Sequence, residues 1–259
     1  MIINLKNIQK ILALFQSKFI IVLLLALFSC TSYPLILIAK SQQPASSGNQ
    51  SPQDGSSRGR PSQRGGAGSR GNCPSVEVPL TALIPEKKVG LVVEENPTFW
   101  VFVPYQLNDD VSSGEFVLQD EANNDIYRTF FTLPKIPGIV SFSLPSSVPL
   151  EVNKTYQWYF KLYCTQQQFD PVFVRGLVQR IALTSDLERQ LKTATTVGDR
   201  IQLYTQNGIW YSALTELAKL RLAEPKNATL NNEWANLLQS VDLENLAQKP
   251  LVGEVKIKQ

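Results

Sequence analysis

The chain has 259 residues, with 25 Lys and Arg against 22 Asp and Glu, and no histidine. Without imidazole, neither a Ser-His-Asp nor a Cys-His arrangement can form, and the usual His-containing catalytic zinc site is excluded. The net charge of +3 lies outside the part that can fold: residues 1–39 hold three Lys and no acid, residues 40–71 hold five basic side chains against Asp54, and the rest carries 17 basic and 21 acidic groups, a net of −4, so nucleic-acid affinity is not expected of the domain.

Residues 1–40 read as a signal peptide or membrane anchor. Lys6, Lys10 and Lys18 give a cationic start, Phe19 to Phe28 is an apolar run, and Ala39 offers a small residue for cleavage, the grammar of secretion. The run is about half of what a bilayer-spanning helix needs. Three fates stay open: a cleaved signal, an uncleaved anchor that uses Leu35 to Ala39 as well, or lipid attachment at Cys30, which follows Leu27 and Ser29. Each places the folded part outside the cytoplasm, in the periplasm or cell envelope, and makes any membrane contact a matter of the N-terminal segment.

Residues 41–71 form a Gly/Ser/Arg-rich linker, with Arg64-Gly-Gly-Ala-Gly-Ser-Arg-Gly71 at its centre. So few large apolar side chains cannot offset the cost of ordering the backbone, and a disordered tether is expected. Its arginines could also hold an anionic wall polymer or lipid surface.

Residues 72–182 read as strands. Phe99 to Val103 is a β-branched and aromatic run between Pro97 and Pro104, and Glu115 to Gln119 and Ile126 to Leu133 flank Asn123-Asn124, residues that tolerate a hairpin's positive φ. Ile139 to Leu144 alternates, and Thr155 to Cys164 places Tyr156, Trp158, Phe160, Leu162 and Cys164 on one face. Val172 to Ile181 is the last strand. Short strands without intervening helices favour an antiparallel β-sandwich. Leu150 to Tyr156, ahead of a Trp-bearing strand, resembles the turn and tyrosine of fibronectin-type and immunoglobulin-like sandwiches. Cys73 opens this region and Cys164 closes its aromatic strand; in an oxidising compartment a disulfide is expected, the alternative being two unpaired buried thiols.

From Ser185 the period becomes helical. Ser185 with Glu188 suggests a capping box, Val197, Ile201 and Tyr204 step down a second helix to Asn207-Gly208, a third runs over 209–223 before Pro225, and a fourth carries Leu230, Trp234, Leu237 and Leu238. Residues 183–251 are thus a helical appendage and 252–259 a C-terminal tail. The third and fourth helices look like one tetratricopeptide-type hairpin, either docked structurally or offering a peptide groove.

Candidate sites are few. Asp120, Glu121 and Asp125 crowd one hairpin but lack the order of a calcium loop. Glu94-Glu95 and Asp109-Asp110 are acidic pairs of the kind a glycosidase uses. Trp100, Tyr105, Tyr127 and Tyr159 could form a sugar-stacking platform, and Asn153 and Asn227 head glycosylation-like triplets. None names a reaction or a cofactor, so a non-enzymatic binding or scaffolding role is expected, with an envelope protein or glycan as partner.

Several phrases together are more specific: Asn72-Cys73-Pro74 after an Arg/Gly leash, Pro97-Thr-Phe-Trp100 with Pro104-Tyr105, Glu115 to Asp120, Leu133-Pro134 with Pro137-Gly138, Trp158-Tyr-Phe-Lys161 with Cys164, and Gly208-Ile-Trp-Tyr211 with Ala213-Leu214. This pattern, from about Asn72 to Leu251, resembles the cyanobacterial exported family labelled domain of unknown function 928. The resemblance implies a cyanobacterial source and an extracytoplasmic setting, and brings no activity or site residues.

Overall fold

The computed structural model describes residues 63–67, 73–86, 88–105, 113–164 and 171–258. The N-terminal segment with Cys30, most of the leash and Asp109-Asp110 lie outside them. The described chain is mostly β, with four helices near its C-terminal end.

One sheet is built on the antiparallel run β6 (Asp125–Thr132), β5 (Ser113–Gln119), β8 (Thr155–Tyr163) and β9 (Val172–Arg180). The second joins β2 (Thr81–Ala82), β4 (Thr98–Val103) and β7 (Gly138–Ser143), also antiparallel. β3 (Gly90–Val92) adds to β9 in parallel. The turns follow from local chemistry: Asp120 accepts from the backbone N–H of Ala122 and Asn124 at 2.9 and 2.8 Å, an Asx-type turn. Of the two asparagines expected at positive φ only Asn123 adopts it, at 65°.

The leash, expected to be disordered, and the C-terminal tail both contribute strands. Within the leash, β1 (Gln63–Ala67) pairs with β9 in the first sheet and through Gly65 with Thr81 of β2 in the second. At the other end of the chain β10 (Leu251–Glu254) runs parallel to β7, and β11 (Lys256–Ile257) antiparallel to β6. Val255 lies between them, buried, with its N–H on the Ser141 carbonyl at 2.9 Å. The two sheets are therefore joined at both edges and curve into a half-barrel.

Aromatic side chains fill the space between them. The Phe99 ring of β4 lies 5.1 Å from both Phe116 of β5 and Trp158 of β8, Phe116 stacks on Phe142 of β7 at 4.0 Å, and Phe131 meets Phe160 at 4.6 Å. Such ring contacts add to the area each side chain withdraws from water. Trp158 sits opposite Gly176 in the register, where a Cβ would come within 2.7 Å of the indole; the missing side chain makes room for the ring.

The helices are α1 (Ser185–Thr193), α2 (Val197–Gln206), α3 (Trp210–Ala223) and α4 (Ala228–Gln239), followed by a 3-10 turn at Glu244–Leu246. The N-cap of α1 is Thr184, whose hydroxyl accepts from Leu187 N–H, not Ser185. The reciprocal capping box belongs to α2, between Thr196 and Asp199. The first half of α3 is buried almost all round because it lies between the sheets and its neighbouring helices. Its Tyr211 hydroxyl accepts from the Trp158 indole N–H at 2.7 Å and donates to the Leu177 carbonyl at 3.2 Å. Burial pushes this phenol far above its ordinary pKa, so it stays a donor.

Cys73 and Cys164 stand at bonding distance, with Cα atoms 4.9 Å apart across 91 residues of sequence. Cys164 is buried on the same side of β8 as Trp158. We predict that the protein isolated without reductant resists alkylation at both positions, and that the Cys73→Ser, Cys164→Ser double variant loses about 2–5 kcal/mol of unfolding free energy in guanidinium titration. Tyr211→Phe, which leaves the indole N–H without an acceptor, should cost about 1–3 kcal/mol in the same assay.

Candidate functional site

α2 and α4 flank the exposed side of α3 and leave a groove between them. The reversal from α2 to α3 is made at Gly208, at φ 68°, and that from α3 to α4 through Pro225 and Asn227, whose side chain caps α4 by accepting from Thr229 and Leu230 N–H. An Arg200–Glu216 ion pair at 3.0 Å ties α2 to α3. The groove has a volume of about 540 Å³, with Ile201, Leu217 and Leu237 as apolar floor and Asp199, Gln202, Glu233 and Asn236 among its walls. At one end it shares Thr205, Leu237 and Ser240 with a second recess of about 420 Å³, closed by Pro85, Glu86, Lys88, Val89 and the C-terminal end of α4.

The groove's electrostatics have two sources. Asp199, Glu233, Glu86 and Asp242 face Lys88 as the one ammonium among the described lining residues. Thr196 donates hydrogen bonds that hold the Asp199 carboxyl below its usual value, so its charge persists into acid. The last turns of α2 and α4 also converge here, and helix C-termini carry negative partial charge. Arg64 of β1 answers one of them: its guanidinium donates to the carbonyls of Val241 and Asp242, the latter at 2.9 Å.

A second charged cluster sits on the outward face of the first sheet. Glu115, 2% exposed, accepts from Tyr163 OH at 2.7 Å, from Lys161 at 3.1 Å and from Arg128, which also pairs with Asp125. The register explains the meeting: Glu115 of β5 lies opposite Lys161 of β8, and Arg128 on β6 is two pairs away, on the same face of the sheet. Burial alone would raise the Glu115 carboxyl, but its three donors outweigh that and hold it below its ordinary value, while burial and Glu115 push Tyr163 up to about 12. Every oxygen of Glu115 is occupied, so the cluster is a structural ion network.

The residues singled out from the sequence separate. Asp120 is spent on its turn, Asp125 accepts from Gln119 and Arg128, and Glu121 caps Thr155 N–H at 3.0 Å. Glu94 accepts from Ser212 of α3 at 2.6 Å, whereas Glu95 pairs with Arg180 at 3.0 Å. The four aromatics do not form a platform. Trp100 is buried with its N–H on Thr215 at 3.1 Å, Tyr105 is buried, and Tyr127 faces inward toward Phe116 and Phe142. Only Tyr159 faces outward, against Phe173 and Lys161. Asn153 serves its turn at φ 63°.

The sequence offered a peptide groove on the hairpin of α3 and α4, whereas the concavity lies between α2 and α4; the Glu115 cluster had no reading at all. The groove's polar lining occupies helix positions that carry no apolar periodicity. For Glu115 a signal existed: an acid among apolar neighbours in a strand, with a cation in each of the two strands that turned out to border it.

Lowering the pH tests the cluster. A carboxyl whose folded pKa is depressed contributes stability above its unfolded value, near 4.5, and loses it as the pH falls through the folded value. Wild-type stability should fall over that window, and in Glu115→Gln the slope should shrink, with a loss of about 1–3 kcal/mol at neutral pH; urea titrations from pH 7 to pH 3 read both.

Among the described residues no helix is long and apolar enough to cross a membrane, and no cluster of three or more metal-ligating side chains occurs. No curated protein matches the chain. A family model does, over residues 65–251, which take in β2 to β9, the groove and the Cys73–Cys164 pair, and the chain belongs to that family, described as Domain of Unknown Function (DUF928).

Proposed function

We propose that this chain is an exported, non-enzymatic binding or scaffolding protein of the cell envelope, which presents the groove between α2 and α4 to a protein partner. The groove carries the reading. It has a volume of about 540 Å³, an apolar floor and polar walls, and Asp199 on its rim serves the capping box of α2. That composition suits an extended segment whose backbone needs hydrogen bonds and whose side chains need partial burial. The cationic, apolar N-terminus and the bonding distance between Cys73 and Cys164 support an oxidising location.

The scaffold reads as a fibronectin-type sandwich. Supporting this are the grouping of β2, β4 and β7 apart from β6, β5, β8 and β9, and the Tyr156 hydroxyl, which accepts from Glu151 N–H at 3.1 Å across the turn into β8. A tyrosine that closes this corner is a hallmark of such folds. On this reading the helices are an appendage that the sandwich holds in place.

A photo-reactive residue placed at Gln202 in the groove should crosslink an envelope protein in intact cells, whereas the same residue at exposed Lys219 should not. Equal yields at the two positions, or adducts drawn only from the cytosol, would sink the proposal.

A further inference from the structure

Resting on the binding role just described, we infer that the groove takes a cationic partner: an extended peptide segment carrying arginine, with its guanidinium groups toward the end lined by Glu86, Ser240 and Asp242. Three observations converge on this chemistry. The lining is acidic, with Asp199, Glu233, Glu86 and Asp242 against Lys88. The C-terminal turns of two helices, α2 and α4, close on the same recess, so backbone carbonyl dipoles add to the side-chain charge. And one guanidinium is already held there: Arg64 reaches from β1 to the Val241 and Asp242 carbonyls. Asp242 sits at φ 58°, three residues past the end of α4.

Arginine fits better than lysine. Its planar fork can engage two carbonyl or carboxylate oxygens at once, as Arg64 does with neighbouring residues. The groove also offers what the rest of an extended segment requires. Gln202 and Asn236 on facing helices supply amide donors and acceptors to a peptide backbone, and Ile201, Leu217 and Leu237 form a floor for small apolar contacts. The acidic partners of the sheet face, by contrast, are saturated by Arg128, Lys161 and Tyr163 and leave no oxygen for a visitor.

The test is titration calorimetry on the full chain with two synthetic peptides, an acetylated and amidated (Arg-Gly)4 and its (Gln-Gly)4 counterpart. The arginine peptide should bind at least about tenfold more tightly, and its affinity should fall as salt rises through the range where the screening length contracts. Glu86→Gln with Glu233→Gln, both exposed positions, should weaken it about three- to tenfold and leave the thermal midpoint unchanged. Equal binding of the two peptides, or binding indifferent to the double substitution, overturns the inference. Arginine-peptide binding that appears only in the Arg58→Gln, Arg60→Gln variant also overturns it, since the occupant would then be this chain's own leash. Crosslinks from Gln202 without arginine preference would remove the cationic partner yet leave the binding role standing; arginine preference without crosslinks would do the reverse.

Discussion

The architecture depends on one hydroxyl. Tyr211 of α3 enters the core between the sheets, takes the Trp158 indole N–H and gives its own proton to the Leu177 carbonyl. It therefore binds to two adjacent strands, β8 and β9, and joins them to a helix. Around it Phe99 from the other sheet approaches within 5.5 Å, and Gly90 of β3 gives up its side chain to lie against the ring. A phenol that is fully withdrawn from water must find partners, because an unpaired polar group there is costly. That requirement fixes the rotation of α3 and, with it, the positions of α2 and α4 on its far side. The groove owes its shape to a contact one helix diameter beneath it.

Charge is partitioned between the two faces of the molecule in a way that the net value conceals. On the outer face of the first sheet, cations and anions are matched residue by residue around Glu115, and the result is rigidity. Along the groove and its adjoining recess, Asp199, Glu233, Glu86 and Asp242 outnumber Lys88 among the described lining residues. An excess of one sign costs stability through self-repulsion unless something offsets it. Arg64 offsets part of it by donating to the Val241 and Asp242 carbonyls just beyond α4. The helical face is thus the side on which unsatisfied electrostatics have been tolerated, which is the usual mark of a surface shaped for recognition.

The long elements were legible in the sequence for plain reasons. β8 alternates aromatic and polar side chains over nine residues, and α2 ends where Asn207-Gly208 permits a positive φ. The short ones were not. β2 and β3 are two and three residues long, too brief for any period to show. β1 is glycine-rich, so its pairing is carried by backbone groups alone, and composition pointed the other way. β10 and β11 lean on β7 and β6 for their register, a tertiary fact with no local signature. For the site the same logic holds. Glu115 and its partners are separated by up to 48 residues and meet only through strand pairing, and the groove is bounded by polar positions whose spacing matches any solvated helix surface.

The crossing at Val255 has a consequence for how the molecule comes to be. Residues 251–257 complete the edges of both sheets, one half of the segment lying along β7 and the other along β6. Neither edge can close before those residues have left the ribosome. Closure of the two edges is therefore governed by one short segment, and β6 and β7 keep open margins until it is in place.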